Sequence, residues 1–378
     1  MREYLVTLLL AASITYLVTP MVRQWAIRFG AVAKIRERDI HTTPTPRWGG
    51  LAMWIGMAAT FLMVNHLSLV GKSFTRESMG IFFAATFLVV LGMIDDRFEL
   101  DALTKLAGQA LAAGILLMNG VQFFWLPING VMTIPASIGQ LLTVIIVLVA
   151  INAVNFIDGL DGLASGIVAI SGAAFFAFAY LLAVMNGFSR AGAPSLITAI
   201  IIGMCIGFLP HNLYPAKIFM GDSGSMLLGL LLAASTITLT GQIDPNAISQ
   251  EKLGPTLLPL LLPLAVLALP LIDLFWAIMR RLRAGKSPFA SDKEHIHHRI
   301  MRAGNTQART ALIMYLWTAT IAFPVSISAF TPMWIAALVA IVMFAFTLVF
   351  SRRVPAPKNS GRESSKREHS GHEKEISA

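Results

Sequence analysis

Charge is scarce in this sequence. Asp, Glu, Lys and Arg make up 13% of its 378 residues, about half of the roughly 25% found in an ordinary soluble domain. A chain so poor in charge cannot clothe a soluble fold, and at 56% hydrophobic it has more apolar surface than a core can bury, so lipid must cover much of it. Cysteine is nearly absent too. The single Cys205 lies inside the apolar stretch ITAIIIGMCIGFL, which excludes a disulfide framework and leaves redox compartment unread. The first apolar run, YLVTLLLAASITYLVTPMV, lacks the basic flank and small-residue cleavage site of a signal peptide, so it reads as a retained helix. No internal repeat supports an inverted-repeat transporter.

What is present is a series of long apolar runs. Counting runs of about 17 to 25 residues predicts an all-α integral membrane protein with eleven spans. They fall near 3–22, 49–70, 78–94, 106–124, 136–153, 164–186, 195–210, 223–240, 255–279, 310–329 and 332–350. Basic residues accumulate on the cytoplasmic side of membranes. With the N-terminus outside and the C-terminus cytoplasmic, 24 of the 29 Lys and Arg residues fall on the cytoplasmic face. The same bias accounts for the net charge of +9 without nucleic acid. Asn129-Gly130 in the outer segment WLPINGVMTIP predicts a short β-hairpin near 125–135. Residues 1–350 read as one polytopic membrane domain, and 351–378, rich in Pro, Ser, Gly and charge, as a disordered cytoplasmic tail.

This topology gathers the polar motifs on one face. NAVNFIDGLDG, residues 152–162, follows an apolar run, although a charge at mid-bilayer costs about 2.5 to 3.5 kcal/mol. Asn155, Asp158 and Asp161 have helical spacing, yet Gly159 and Gly162 favour a tight turn. A helix cap would need one glycine; this density of polar groups points to the lining of a site. In GMIDDRFELDALTK, adjacent Asp95 and Asp96 repel one another and suit a metal, a substrate cation or general-base work, while Lys105 suits an anionic headgroup. A charged interfacial loop is the plainer reading.

NLYPAKIFMGDSGSMLLG runs a Gly-Asp-Ser-Gly-Ser stretch into a span. Asp222 or Ser223 reads either as a simple N-cap or as part of a phosphate pocket at a helix N-terminus, with Asp222 an oxygen ligand for Mg²⁺. SPFASDKEHIHHRIMRAG sets His295, His297 and His298 beside Arg299 and Arg302. A zinc site would need another ligand, and a solvated basic loop is the bland alternative; imidazoles and guanidiniums gripping phosphate oxygens fit better. Arg47, on the Pro-rich HTTPTPRWGGLAM, is a further phosphate-binding candidate. Asp273, inside the ninth expected span, receives no role.

In order along the chain, PTPRWGG, DDRFELDALTK, NAVNFIDGLDGL, NLYPAKIFMGDSGS and SPFASDKEHIHHR resemble the polyprenyl-phosphate N-acetylhexosamine-1-phosphate transferases, with likeness over nearly the whole chain except the tail. The HIHHR form and the SPF stretch resemble the GlcNAc-1-phosphate transferases that initiate O-antigen, teichoic-acid and arabinogalactan-linker synthesis. They are less similar to the phospho-MurNAc-pentapeptide translocase.

The resemblance implies a reaction at the cytoplasmic face of a bacterial cytoplasmic membrane. UDP-GlcNAc and a polyprenyl phosphate give polyprenyl-pyrophosphate-GlcNAc and UMP, with Mg²⁺ or Mn²⁺ as cofactor. It places Asp222 on the metal, one of Asp95 and Asp96 on the lipid phosphate, and Lys105 holding that phosphate. Asn155, Asp158 and Asp161 would organise nucleotide and metal waters, with Asn212 on the diphosphate and Phe219 stacking on uracil. His295, His297 and His298 would stabilise phosphate charge. A homodimer is compatible with the sequence. The rivals are the same chemistry on another UDP-N-acetyl sugar or UDP-MurNAc-pentapeptide, an ion-coupled transporter, and a non-catalytic scaffold.

Overall fold

The computed structural model describes residues 1–33, 44–126 apart from 69 and 74, 132–185, 192–242, 265, 267–283, 285 and 296–352. Its helices are α1 (Arg2–Arg28), α2 (Gly49–Val64), α3 (Arg76–Phe98), α4 (Ala102–Met118), α5 (Ala136–Ile157), α6 (Leu163–Met185), α7 (Gly192–Asn212), α8 (Gly221–Gln242), α9 (Ala268–Arg283), α10 (Ile296–Arg302), α11 (Gln307–Ser328) and α12 (Met333–Arg352). Among the described residues, eight helices are long and apolar enough to cross a membrane, and α2 and α4 are shorter apolar helices. The chain is a multi-pass membrane protein.

Helix α8 is the axis of the bundle. It packs against α2, α3, α5 and α7, and its entire apolar window is buried. Small residues let the backbones close: Cβ atoms at Gly203 or Gly207 of α7 would run into the α1 backbone at Leu8 and Ala12. At the other extreme, α12 leans on α11 and exposes Trp334, Leu338, Ile341, Val342 and Phe346, a face that lipid covers.

Several expected boundaries move. The span predicted at 49–70 ends at Val64, ahead of a 3₁₀ turn at Val70–Ser73. The span predicted at 106–124 starts earlier because Asp101 caps α4, accepting from the Leu103 and Thr104 N–H groups. It stops at Met118, where Asn119 and Gly120 (φ +87°) turn the chain. The expected span 255–279 differs most. Its described part is α9, which runs on to Arg283, exposes Ile272, Phe275 and Trp276, and buries Asp273 and Arg281. This described part is amphipathic, which total hydropathy does not reveal, and residues 255–264 lie outside the described ones. Strands Trp125–Leu126 and Met132–Thr133 pair antiparallel, with 127–131 outside the described residues. The tail beyond 352 lies outside them too.

Candidate active site

The DDRFELDALTK stretch folds back on itself. Helix α3 ends at Phe98, and Glu99 takes φ 54°, a left-handed conformation uncommon for a residue with a side chain. The turn lets the Leu100 N–H donate to Asp95 Oδ1 at 2.8 Å. Lys105, one turn into α4, then points back at α3. Its Nζ lies 2.5 Å from Asp95 Oδ2 and 2.7 Å from Asp222 Oδ2. Asn155, from the last turn of α5, donates from Nδ2 to Asp222 Oδ1 at 2.8 Å and to Ser225 Oγ at 2.9 Å. Four helices thus converge on the Asp222 carboxylate.

The two adjacent aspartates part company. Asp96 is buried and faces the start of α8, where its carboxylate accepts from the Asp222 N–H at 2.9 Å, the Ser223 N–H at 3.3 Å and the Ser223 hydroxyl at 2.9 Å. Two N–H groups of this helix N-terminus are therefore met from within, by a carboxylate of the same chain. Glycine makes the approach possible. A side chain at Gly92 would strike the Ser223 backbone, and one at Gly221 (φ +72°) would strike the Asp96 carboxylate itself.

The Asp158–Gly162 turn closes α5 and is pinned from two sides. The Gly162 N–H donates to Asn212 Oδ1 at 3.1 Å, and the Gly162 carbonyl accepts from the Tyr315 hydroxyl at 2.5 Å. The other end of the Asn212 amide donates to the Ile218 carbonyl at 3.0 Å, and Asp161 Oδ2 accepts from the Ala216 N–H at 2.9 Å. Asn212 and Asp161, expected on the diphosphate and nucleotide, tie this turn to the 212–218 loop. Tyr315→Phe removes one of these ties. It is expected to lower stability by about 0.5 to 1.5 kcal/mol, read from thermal unfolding in detergent; an unchanged melt would show that the hydroxyl contributes nothing to the turn.

Asp158 is left between unequal charges. Burial, then the negative charges of Asp222 and Asp96, push its carboxyl up to about 8, with Arg47 pulling the other way. Burial is the larger cause, and the neighbouring carboxylates add to it because like charges disfavour a further ionised acid. Arg47 is half-buried, its N–H bound to the Ala31 carbonyl. The segment it sits on runs beside the α7–α8 loop, with Phe219 N–H donating to Pro46 O and Gly49 N–H to Phe219 O. Phe219 itself is half-buried. On α10, His297 is buried with its ring against Gly159, where a Cβ would fall 2.5 Å from Nε2. His298 lies 4.3 Å from it, ring to ring, and Arg302 is exposed. His295 lies outside the described residues.

Among the described residues, no three carboxylate, imidazole or thiol groups converge as a ready-made metal cage. Sequence reasoning passed over Ser225, which shares the Asn155 amide with Asp222; its place three residues on, on the same face of α8, was the available signal. It also passed over Gly92 and Tyr315, which look like any glycine or tyrosine in an apolar run.

Residues 78–240 match the family described as Glycosyl transferase family 4. A decaprenyl-phosphate N-acetylglucosaminephosphotransferase of Mycolicibacterium smegmatis is 44% identical over 369 residues, covering 94% of this chain and 90% of the relative. The chain belongs to glycosyl transferase family 4. An enzyme of the same name from Mycobacterium tuberculosis is 44% identical over 337 residues, 87% of this chain and 83% of its own. An undecaprenyl-phosphate alpha-N-acetylglucosaminyl 1-phosphate transferase of Salmonella typhi is 30% identical over 350 residues, 87% of this chain and 85% of its own. The family 4 match runs from α3 to α8 and so takes in Asp95, Asp96, Lys105, Asn155 and Asp222 together. Arg47 and the α10 histidines lie outside its limits and are brought in by the fold.

Proposed function

We propose that this protein transfers GlcNAc-1-phosphate from UDP-GlcNAc to a polyprenyl phosphate, giving polyprenyl-pyrophosphate-GlcNAc and UMP and starting a cell-envelope glycopolymer. The observation that carries this reading is the 44% identity, over 94% of the chain, to an enzyme named for a decaprenyl phosphate and N-acetylglucosamine. The geometry supports it. A lipid phosphate oxygen attacks the β-phosphorus of the sugar nucleotide, the bond to the bridging oxygen breaks, and UMP leaves. Lys105 sits where two anions must approach each other, and such transfers depend mainly on positioning and charge stabilisation. Asp95 is buried, hydrogen-bonded and ion-paired; this favours direct displacement over a covalent aspartyl relay. A phospho-enzyme trapped on Asp95 would overturn that choice.

The residues suit a magnesium or manganese ion. Mg²⁺ takes one or two carboxylates and fills its remaining positions with water and substrate phosphate, so a cage of three ligands is not required. Asp222 is the natural holder, with a side chain 26% exposed against 3% for Asp95, and the surplus of acid over cation at the site is what a divalent ion relieves. When bound, the ion would neutralise the diphosphate. The active site lies on the cytoplasmic face of the bacterial cytoplasmic membrane, with the N-terminus outside and the chain crossing eleven times; the excess of Lys and Arg in the segments that hold the motifs supports this orientation.

The test is an exchange assay on protein purified in detergent, with polyprenyl phosphate and Mg²⁺. Labelled UDP-GlcNAc, UDP-GalNAc and UDP-MurNAc-pentapeptide are offered separately. Label is expected in extractable lipid from UDP-GlcNAc alone, reversed by UMP and lost with EDTA. Transfer from another donor corrects the sugar, and a folded protein that labels no lipid ends the enzyme reading.

A further inference from the structure

Asp273 is a carboxylic acid with no exposed surface, set in the amphipathic helix α9, and the reaction above makes no use of it. Burying a carboxylate is expensive unless strong donors meet it. Its Oδ1 accepts from the Ile296 N–H at 2.9 Å, 23 residues further along the chain. Ile296 is the first residue of α10, and the next residue is His297. Helix α9 is itself seated on the catalytic scaffold. It packs against α5 and α11, and its buried Arg281 places a guanidinium 5.1 Å above the Phe156 ring, beside Asn155.

The consequence is a short mechanical chain. Asp273 fixes the N–H of Ile296, the backbone of α10 follows, and His297 is laid on Gly159, the neighbour of Asp158. The fit on Gly159 leaves little slack, since even a methyl group there would meet the imidazole. A seven-residue helix has little stability of its own, so an anchor at its first residue decides where its side chains sit. We propose that Asp273 is a positioning residue: by accepting the Ile296 N–H it seats α10 so that His297 lies against the Asp158–Gly159 backbone. The inference rests on the transferase reading for its effect on rate, but its structural half can be read without any substrate.

Two variants test it, one on each side of the hydrogen bond. Asp273→Ala removes the acceptor. Ile296→Pro removes the donor and keeps the acid, since proline is tolerated at the first helical position. In intact protein, carbethoxylation of His297 by diethyl pyrocarbonate, followed by mass spectrometry, is expected to be about tenfold faster in both variants, the scale of one lost hydrogen bond. Asp273→Asn keeps an acceptor oxygen and is expected to hold the wild-type rate of modification. In the exchange assay, D273A is expected to be slower than wild type, while D273A/H297A is no slower than H297A.

Wild-type protection of His297 in both D273A and I296P would overturn the proposal, and so would strictly additive losses in the double variant. If D273A does not fold, I296P and D273N still decide it, because loss of protection in I296P with protection kept in D273N needs the hydrogen bond itself. Wild-type protein that transfers no label sinks the transferase reading and leaves the protection result standing.

Discussion

Replacing Asp222 with asparagine is expected to abolish turnover, by about 10³-fold or more, while leaving the protein folded. Asp222 is where the site's connections end. Its two oxygens face Lys105 from α4 and Asn155 from α5, yet it still reaches solvent, with 26% of its side chain exposed, where Asp95 and Asp96 are buried. Asparagine fills the same volume and can still accept one hydrogen bond. What it loses is the charge that holds Lys105 and, under the proposed function, the divalent ion. The measurement is label transferred per minute beside a melting curve in the same detergent. Wild-type transfer by D222N would remove Asp222 from the metal site.

Asp96→Ala should behave in the opposite way, failing first as a structure. Asp96 sits one residue from a partner of Lys105, but its carboxylate is spent on two N–H groups and a hydroxyl at the start of α8. Alanine leaves buried donors unmatched at the contact between α3 and α8. Each such group costs about 1 to 3 kcal/mol, and losing one partner of a buried charged contact costs about 3 to 5 kcal/mol. D96A should therefore melt lower by several kcal/mol and lose activity along with its fold, whereas D96N keeps one acceptor and falls between. A D96A protein that melts like wild type yet transfers no label would move Asp96 from the scaffold into the chemistry.

The contrast between these aspartates marks how far the sequence could be read. Asp95, Asp96, Lys105 and Asp222 stand out because charge is rare against an apolar background, whereas the Asp101 cap that starts α4 went unread and the expected span began too late. Which aspartate faces which way was not legible. That depends on α3 meeting α8 across Gly92, and nothing in GMIDD separates a glycine that admits a neighbouring backbone from one that does not. The ties of Asn212 were hidden for a related reason: nothing in the sequence tells that its amide bridges the Gly162 N–H and the Ile218 carbonyl. In α9 the residue types were visible and the direction was not, because Ile272, Phe275 and Trp276 face outward while Asp273 and Arg281 face in.

The burial of α8 also bears on how the protein is made. Of the eight candidate spans it has the lowest mean hydropathy, 1.5 against 2.6 for α12, and it is the one wholly enclosed by protein. Its second half, STITLT, carries hydroxyls that a solitary helix in lipid would have to bury without neighbours. The helices that surround it, α2, α3, α5, α6 and α7, all precede it in the chain. Synthesis from the N-terminus therefore delivers the walls before the post they enclose, and α8 enters a slot already lined with glycine and polar partners. The helix least able to partition into lipid alone is also the one that carries Asp222, so Asp222 meets Lys105 and Asn155 in the same step that buries α8.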